Sequence, residues 1–166
     1  MNGERIIPHL PGLRRYARLL TGDPHRADDL VQDTLLRACA KWTLWRPASD
    51  LRAWLFTVMH NVFINQLRAA PPASVQFDDL AEAGHSEDPA AGIDLQRALA
   101  RLPDDQREVL LMVTVEDFSY ADVARVTGVP VGTVMSRLSR ARRRLREAME
   151  GSREAADARP HLKVMK

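Results

Sequence analysis

The sequence predicts an all-α protein: two small helical domains joined by a flexible acidic linker, the second domain containing a helix-turn-helix. Three observations predict this. Apolar residues recur at helical spacing in both halves of the chain, and no alternating strand pattern stands out. Residues that start and stop helices punctuate those stretches. Between them, residues 70–94 change character: Pro71, Pro72, Gly84, Pro89 and Gly92 are interspersed with Asp78, Asp79, Glu82, Glu87, Asp88 and Asp94, with no Lys or Arg. At 166 residues and 45% hydrophobic content, the chain can bury one ordinary core or two small ones.

The first domain, residues 1–69, reads as helices separated by breakers. A helix over 10–20 ends at Gly22, a C′ position. Asp23 then serves as N-cap with Pro24 at the first helical position, where its missing N–H costs nothing. The helix that follows puts Ala27, Leu30, Val31, Thr34, Leu35 and Ala38 on one face and Asp29, Gln32, Asp33 and Arg37 on the other. Cys39, beside Leu35, Leu36 and Ala38, reads as a small buried hydrophobe. Pro47 breaks the chain, and Ser49 or Asp50 caps a third helix over 51–67 that buries Trp54, Leu55, Val58 and Val62. Asn61 and Asn65 share one face of that helix. His60 reads as an exposed neighbour, with no second His at ligand spacing.

The second domain, residues 95–150, precedes a tail at 151–166 and carries the sharpest signal. Ser119 and Asp122 have the form of a capping box with Asp in place of Glu or Gln. A short helix over 120–127 contains Ala124, where two helices must approach closely. Gly128 follows, where a tight turn favours left-handed backbone, and Pro130 opens a second helix. There Val134, Leu138, Ala141 and Leu145 have core spacing, while Thr133, Ser136, Arg137, Arg140 and Arg144 fall mostly on the other side. This is the layout of a helix-turn-helix whose second helix enters the major groove. Arginine forms bidentate bonds to guanine edges and also neutralises phosphates. Thr133, Ser136, Arg137 and Arg140 are placed for base edges, and Arg142, Arg143, Arg144 and Arg146 for phosphates or solvent. An arginine run alone favours a solvated basic helix; Ala124, Gly128 and the caps in register turn the balance to DNA.

Composition narrows the classes. A net charge of +2 argues only weakly for a polyanionic partner, so the clustering of arginine carries the inference. One cysteine excludes an internal disulfide and a Cys-based zinc site, which suits a reducing cytoplasm. No apolar run approaches a membrane span, and the N-terminus lacks the order of a signal peptide. No nucleophile–base arrangement, phosphate-binding Gly loop or metal constellation is present, so neither an enzyme nor a cofactor is expected.

The segment Asp28-Asp29-Leu30-Val31-Gln32-Asp33-Thr34-Leu35-Leu36-Arg37-Ala38 resembles region 2 of bacterial sigma factors. The segment Leu102-Pro103-Asp104-Asp105-Gln106-Arg107-Glu108-Val109-Leu110, with Phe118-Ser119-Tyr120 and the run from Gly132 to Arg142, resembles their region 4. The two motifs, in that order with no domain between, are similar to the small extracytoplasmic-function (ECF) group of the sigma-70 family. The resemblance implies a factor that binds core RNA polymerase, directs it to promoters and helps open DNA, restrained by an anti-sigma factor. It implies polymerase docking through Asp29, Gln32, Asp33 and Arg37. It makes Asn61 and Asn65 readers of the unstacked −10 strand, beside a pocket walled by residues 44–50; from the residues alone, two asparagines that merely solvate a helix are the favoured reading. It places −35 contacts at Arg107, Met135, Ser136, Ser139 and Arg140, with Thr133, Arg137 and Arg144 on the same face. Met135 departs from the pattern, since many relatives carry a basic residue there. Two alternatives stay open: a sigma-like decoy that captures an anti-sigma factor, and a plain helix-turn-helix regulator.

Overall fold

A computed structural model describes residues 3–69 and 89–158, and all structural statements below concern those residues. The first domain consists of α1 (Gly3–Ile6), α2 (Leu10–Thr21), α3 (Pro24–Ala40) and α4 (Leu51–Ala69). The second consists of α5 (Pro89–Ala100), α6 (Asp104–Thr114), α7 (Tyr120–Thr127) and α8 (Val131–Asp157). Single 3-10 turns occupy Ile7–His9 and Trp42–Leu44, and no strand occurs among the described residues.

The helix boundaries have local causes. The Asp23 carboxylate accepts from the His25 N–H at 2.8 Å, starting α3. At α4 the cap is Asp50, whose Oδ1 accepts from the Arg52 N–H at 3.0 Å, while Ser49 donates back to the Arg46 carbonyl. Ser119 caps α7 by accepting from the Asp122 N–H at 3.1 Å. Gly22 and Gly128 close α2 and α7 at φ 68° and 71°, left-handed backbone that a side chain would strain. Pro130 stands at the N-cap of α8 and not at its first helical residue.

Two boundaries differ from the sequence expectation. Helix α5 begins at Pro89, inside the stretch expected to be linker, and α8 continues through Gly151 to Asp157, where a tail was expected. Gly151 costs a helix about 1 kcal/mol relative to alanine. Packing offsets that cost: α5 lies along the end of α8, forming a groove lined by Ile93, Ala98, Ala148 and Ala155. The rest of the expected acidic linker, residues 70–88, lies outside the described residues.

The two domains share a core. Tyr16 of α2, Phe56 of α4 and Phe118 between α6 and α7 form an edge-to-face chain, with ring centroids 5.1 and 5.0 Å apart. Helix α4 buries Leu55, Val58 and Val62 as expected, and also Phe56, Met59 and Phe63. The wider apolar face follows from its two neighbours, α3 within its own domain and α7 across the domain boundary. Trp54 is only partly buried and stands edge-on to Trp42, which also packs against Trp45.

Candidate nucleic-acid interface

Helix α8 is anchored by Val134, Leu138 and Ala141, all buried against α6 and α7. Because those positions share one face, the opposite face turns outward: Met135, Ser136, Ser139 and Arg140 are exposed. Thr133 is half-buried, and Ser136 folds its hydroxyl back onto the Thr133 carbonyl at 3.1 Å. Arg137 is half-buried as well, its Nε 3.4 Å from the Asp105 carboxylate of α6. Arg142, Arg143, Arg144 and Arg146 are exposed further along the helix. Tyr120, Met135, Leu138, Ser139, Arg142 and Arg146 line a shallow depression of about 210 Å³ beside this face. An exposed donor array on a helix anchored by its buried stripe is suited to polar groove edges and to phosphates.

The first domain presents two further polar surfaces. Asn61 and Asn65 are exposed one turn apart on α4. Asp29, Gln32, Asp33 and Arg37 are exposed on α3, and the Gln66 amide of α4 donates to Asp33 at 3.0 Å, tying the two surfaces together. Between Asp33 and Arg37 stands Leu36, 69% exposed, which supplies this polar face with an apolar centre. Sequence reasoning passed over Leu36, although it lies off the stripe of Ala27, Leu30, Val31, Thr34 and Ala38.

Three residues stand where the sequence did not place them. Arg107 was expected at the −35 contacts, but its side chain is 12% exposed. Its guanidinium donates to the carbonyls of Leu99, Ala100 and Leu102, closing the end of α5, and to Leu20 O of α2 at 2.9 Å. Burial pulls its pKa below the ordinary arginine value, against the upward pull of Asp104. His60 was expected to be exposed, yet its Nδ1 lies 2.7 Å from Glu108 of α6 and its side chain is 13% exposed. Cys39 is exposed, because the buried stripe of α3 passes through Ala38 and leaves the next residue on the outer flank.

His60 and Arg107 belong to a seam between the domains that sequence reasoning did not foresee. At its centre the Glu116 side chain is 1% exposed. Arg15 of α2 holds it in a bidentate pair, both contacts at 3.0 Å, and Arg52 of α4 adds a third at 3.0 Å. Arg52 also donates to the Glu116 carbonyl and lies 4.1 Å over the Phe118 ring. Gly12 permits the approach, since a Cβ there would stand 3.2 Å from the Glu116 carboxylate. Asp117, between Glu116 and Phe118, takes a left-handed φ of 54°, which turns both neighbours inward. Among the described residues, no group of three or more His, Cys, Asp and Glu could hold a metal ion, and no helix is long and apolar enough to cross a membrane.

Comparison with known proteins covers both domains. Residues 6–60 match the Sigma2 domain of PhyR, and residues 93–145 match Sigma-70, region 4. The ECF RNA polymerase sigma factor EcfG of Rhodopseudomonas palustris is 41% identical over 147 residues, covering 86% of this chain and 81% of that protein. Among solved structures, the sigma factor RpoE in complex with the anti-sigma factor NepR from Bartonella quintana superposes with a TM-score of 0.74 at 36% identity, covering 89% of this chain and 96% of that one. The anti-anti-sigma factor PhyR, complexed with NepR from the same organism, shares the fold at a TM-score of 0.61 and 22% identity, over 85% of this chain and 48% of that one.

Proposed function

The chain belongs to the ECF sigma factors of the sigma-70 family, a class of promoter-specificity factors and not of enzymes, and we propose that its two domains divide the recognition of the promoter. The chain directs core RNA polymerase to initiate at specific promoters. In our reading, Asp29, Gln32, Asp33 and Arg37, with Leu36 at their centre, dock on core polymerase. Asn61 and Asn65 take the bases of the −10 strand as they leave the stack, a capture that must offset a few kcal/mol per base. Thr133, Ser136, Arg137, Ser139 and Arg140 read the −35 duplex, with Arg144 on phosphates. Arg107 is left out of that set, since its guanidinium is occupied by carbonyls of its own chain. The observation that carries this reading is the simultaneous exposure of Arg140 on α8 and of Asn61 and Asn65 on α4 in one chain.

The cytoplasm is the expected compartment, and DNA opening here uses binding energy without catalysis by the chain itself. An anti-sigma protein is the expected restraint, supported by the NepR complex of the similar RpoE. A second reading has one observation in its favour. The match of residues 6–60 to the Sigma2 domain of PhyR suits a sigma-like decoy that captures an anti-sigma factor. The test mixes the chain with core polymerase and a genomic promoter library. Promoter-specific transcript supports the factor; capture of an anti-sigma protein with no transcript anywhere in the library supports the decoy.

A further inference from the structure

We propose that Met135, with Val131 and Tyr120, forms an apolar subsite for the 5-methyl group of a pyrimidine, so that the chain selects a thymine at one −35 position by its methyl. This deepens the −35 reading above and rests on it. Seven large apolar side chains stand exposed among the described residues, and three of them gather on the helix-turn-helix. Val131 opens α8 and Met135 follows one turn later, so the two share a row on the helix surface. Tyr120, the first residue of α7, lines one depression with Met135. A lone exposed apolar side chain needs no explanation, but a cluster beside a polar reading face does.

The surroundings of the cluster name its ligand. The buried Leu138 backs the same depression, and the exposed Arg142 and Arg146 complete its lining. The fitting partner offers an apolar group to one end of this strip and anions to the other. Duplex DNA has that combination, since the thymine methyl is an apolar group on a major-groove edge and phosphates flank it. A recognition helix brings its first turns to base edges. Met135 is the fifth residue of α8, and Arg142 and Arg146 follow two and three turns later, where the helix meets the backbone. The thioether is unbranched and polarisable, so it adapts to a methyl group. Its sulfur is a weak acceptor and it carries no donor, so guanine and adenine edges offer it little. Ser136 and Arg140, exposed on the same helix, keep the hydrogen-bonding part of the readout.

The test assembles the full chain with core RNA polymerase and offers a duplex pool of randomised sequence. The pool is prepared once with thymine and once with uracil, which lacks only the methyl, and core polymerase alone gives the background. Sequences retained by the parent should favour thymine at one −35 position. In the uracil pool that preference should fall about three- to fivefold, the worth of burying one methyl group. At the same position 5-methylcytosine should outbind cytosine by a similar factor. Met135→Gln keeps the length of the side chain but ends it in an amide, and should abolish both methyl effects, whereas Met135→Leu should retain them. Met135 is exposed, so both variants should keep the fold. A uracil pool selected as sharply as the thymine pool, or a methyl effect that survives in Met135→Gln, would overturn the proposal. Retained sequences with no preference at any position would overturn the −35 reading together with it. A sharp −35 preference indifferent to the methyl would overturn this proposal alone.

Discussion

At the domain seam, Arg107 directs its guanidinium at carbonyls of its own chain and is 12% exposed, whereas Arg140 on α8 stands in solvent. Both occupy positions where the family resemblance implies −35 contacts. The difference lies in the geometry around them. Arg107 opens α6 just after Pro103, where the carbonyls at the end of α5 converge and need donors. Arg140 lies opposite a buried stripe of valine, leucine and alanine, which forces it outward. The same side chain serves as a structural cap in one place and is left free for a ligand in the other, and burial separates the two. The acids divide likewise. Glu116 and Glu108 are buried and paired across the seam, while Asp29 and Asp33 are exposed on the outer face of α3.

Four measurements test this contrast. The largest effect is expected at Phe118→Ala, which removes a ring wedged between Phe56 and Arg52. It should cost about 3–5 kcal/mol in urea unfolding, and because the core is shared, the two domains should lose cooperativity together; a loss confined to the second domain would count against a joined core. Next comes the arginine pair itself. Arg107→Ala orphans several buried carbonyls and should lower stability by about 2 kcal/mol with little change in −35 preference. Arg140→Ala should do the reverse, leaving stability within about 0.5 kcal/mol and removing about 1–3 kcal/mol of discrimination at one −35 base pair. Equilibrium unfolding and competitive binding to mutated duplexes measure both arms, and matching profiles for the two variants would dissolve the distinction.

A smaller effect should appear in the pH dependence. Burial raises the Glu108 carboxyl above its ordinary 4.5, and the His60 contact pulls it part of the way back. The folded chain then holds this proton more tightly than the unfolded chain. Stability from Glu108 is therefore full below about pH 4.5 and is lost as pH rises through the raised value. Replacing His60 with Gln removes the pull, so the stability lost as pH rises above about 4.5 should be larger than in the parent. Parallel pH profiles would show that the pair does not couple. The smallest effect belongs to Met135, 53% exposed on the reading face. Met135→Lys adds one phosphate contact and should steepen the log–log salt dependence of DNA binding by about 0.9, with a few-fold gain in affinity at low salt. An unchanged slope would place Met135 away from the backbone.

Most of the fold was legible because its signals are local. Asp23 with Pro24, Ser119 with Asp122, and Gly22 and Gly128 act through bonds that reach two to four residues, so spacing alone locates them. The core stripe of α8 and the exposed faces of α3 and α8 follow from helical periodicity in the same way. The exposure of Cys39 and Leu36 follows from the same α3 stripe, whereas the placements of His60 and Arg107 were not legible. His60 meets Glu108 across 48 residues, and Arg107 reaches Leu20 across 87. Nothing in the spacing of either residue shows that such a partner exists. The start of α5 at Pro89 and the persistence of α8 past Gly151 escaped for a related reason, because mutual packing overrides weak local preference.

Local sequence signals therefore settle most of the helices, their order and the surfaces each turns outward, since these depend on contacts within a few turns. Long-range packing alone brings the two domains against one another and selects which charges are buried. That choice depends on Glu116 finding Arg15 and Arg52, 101 and 64 residues away, in a site dry enough for their attraction to matter.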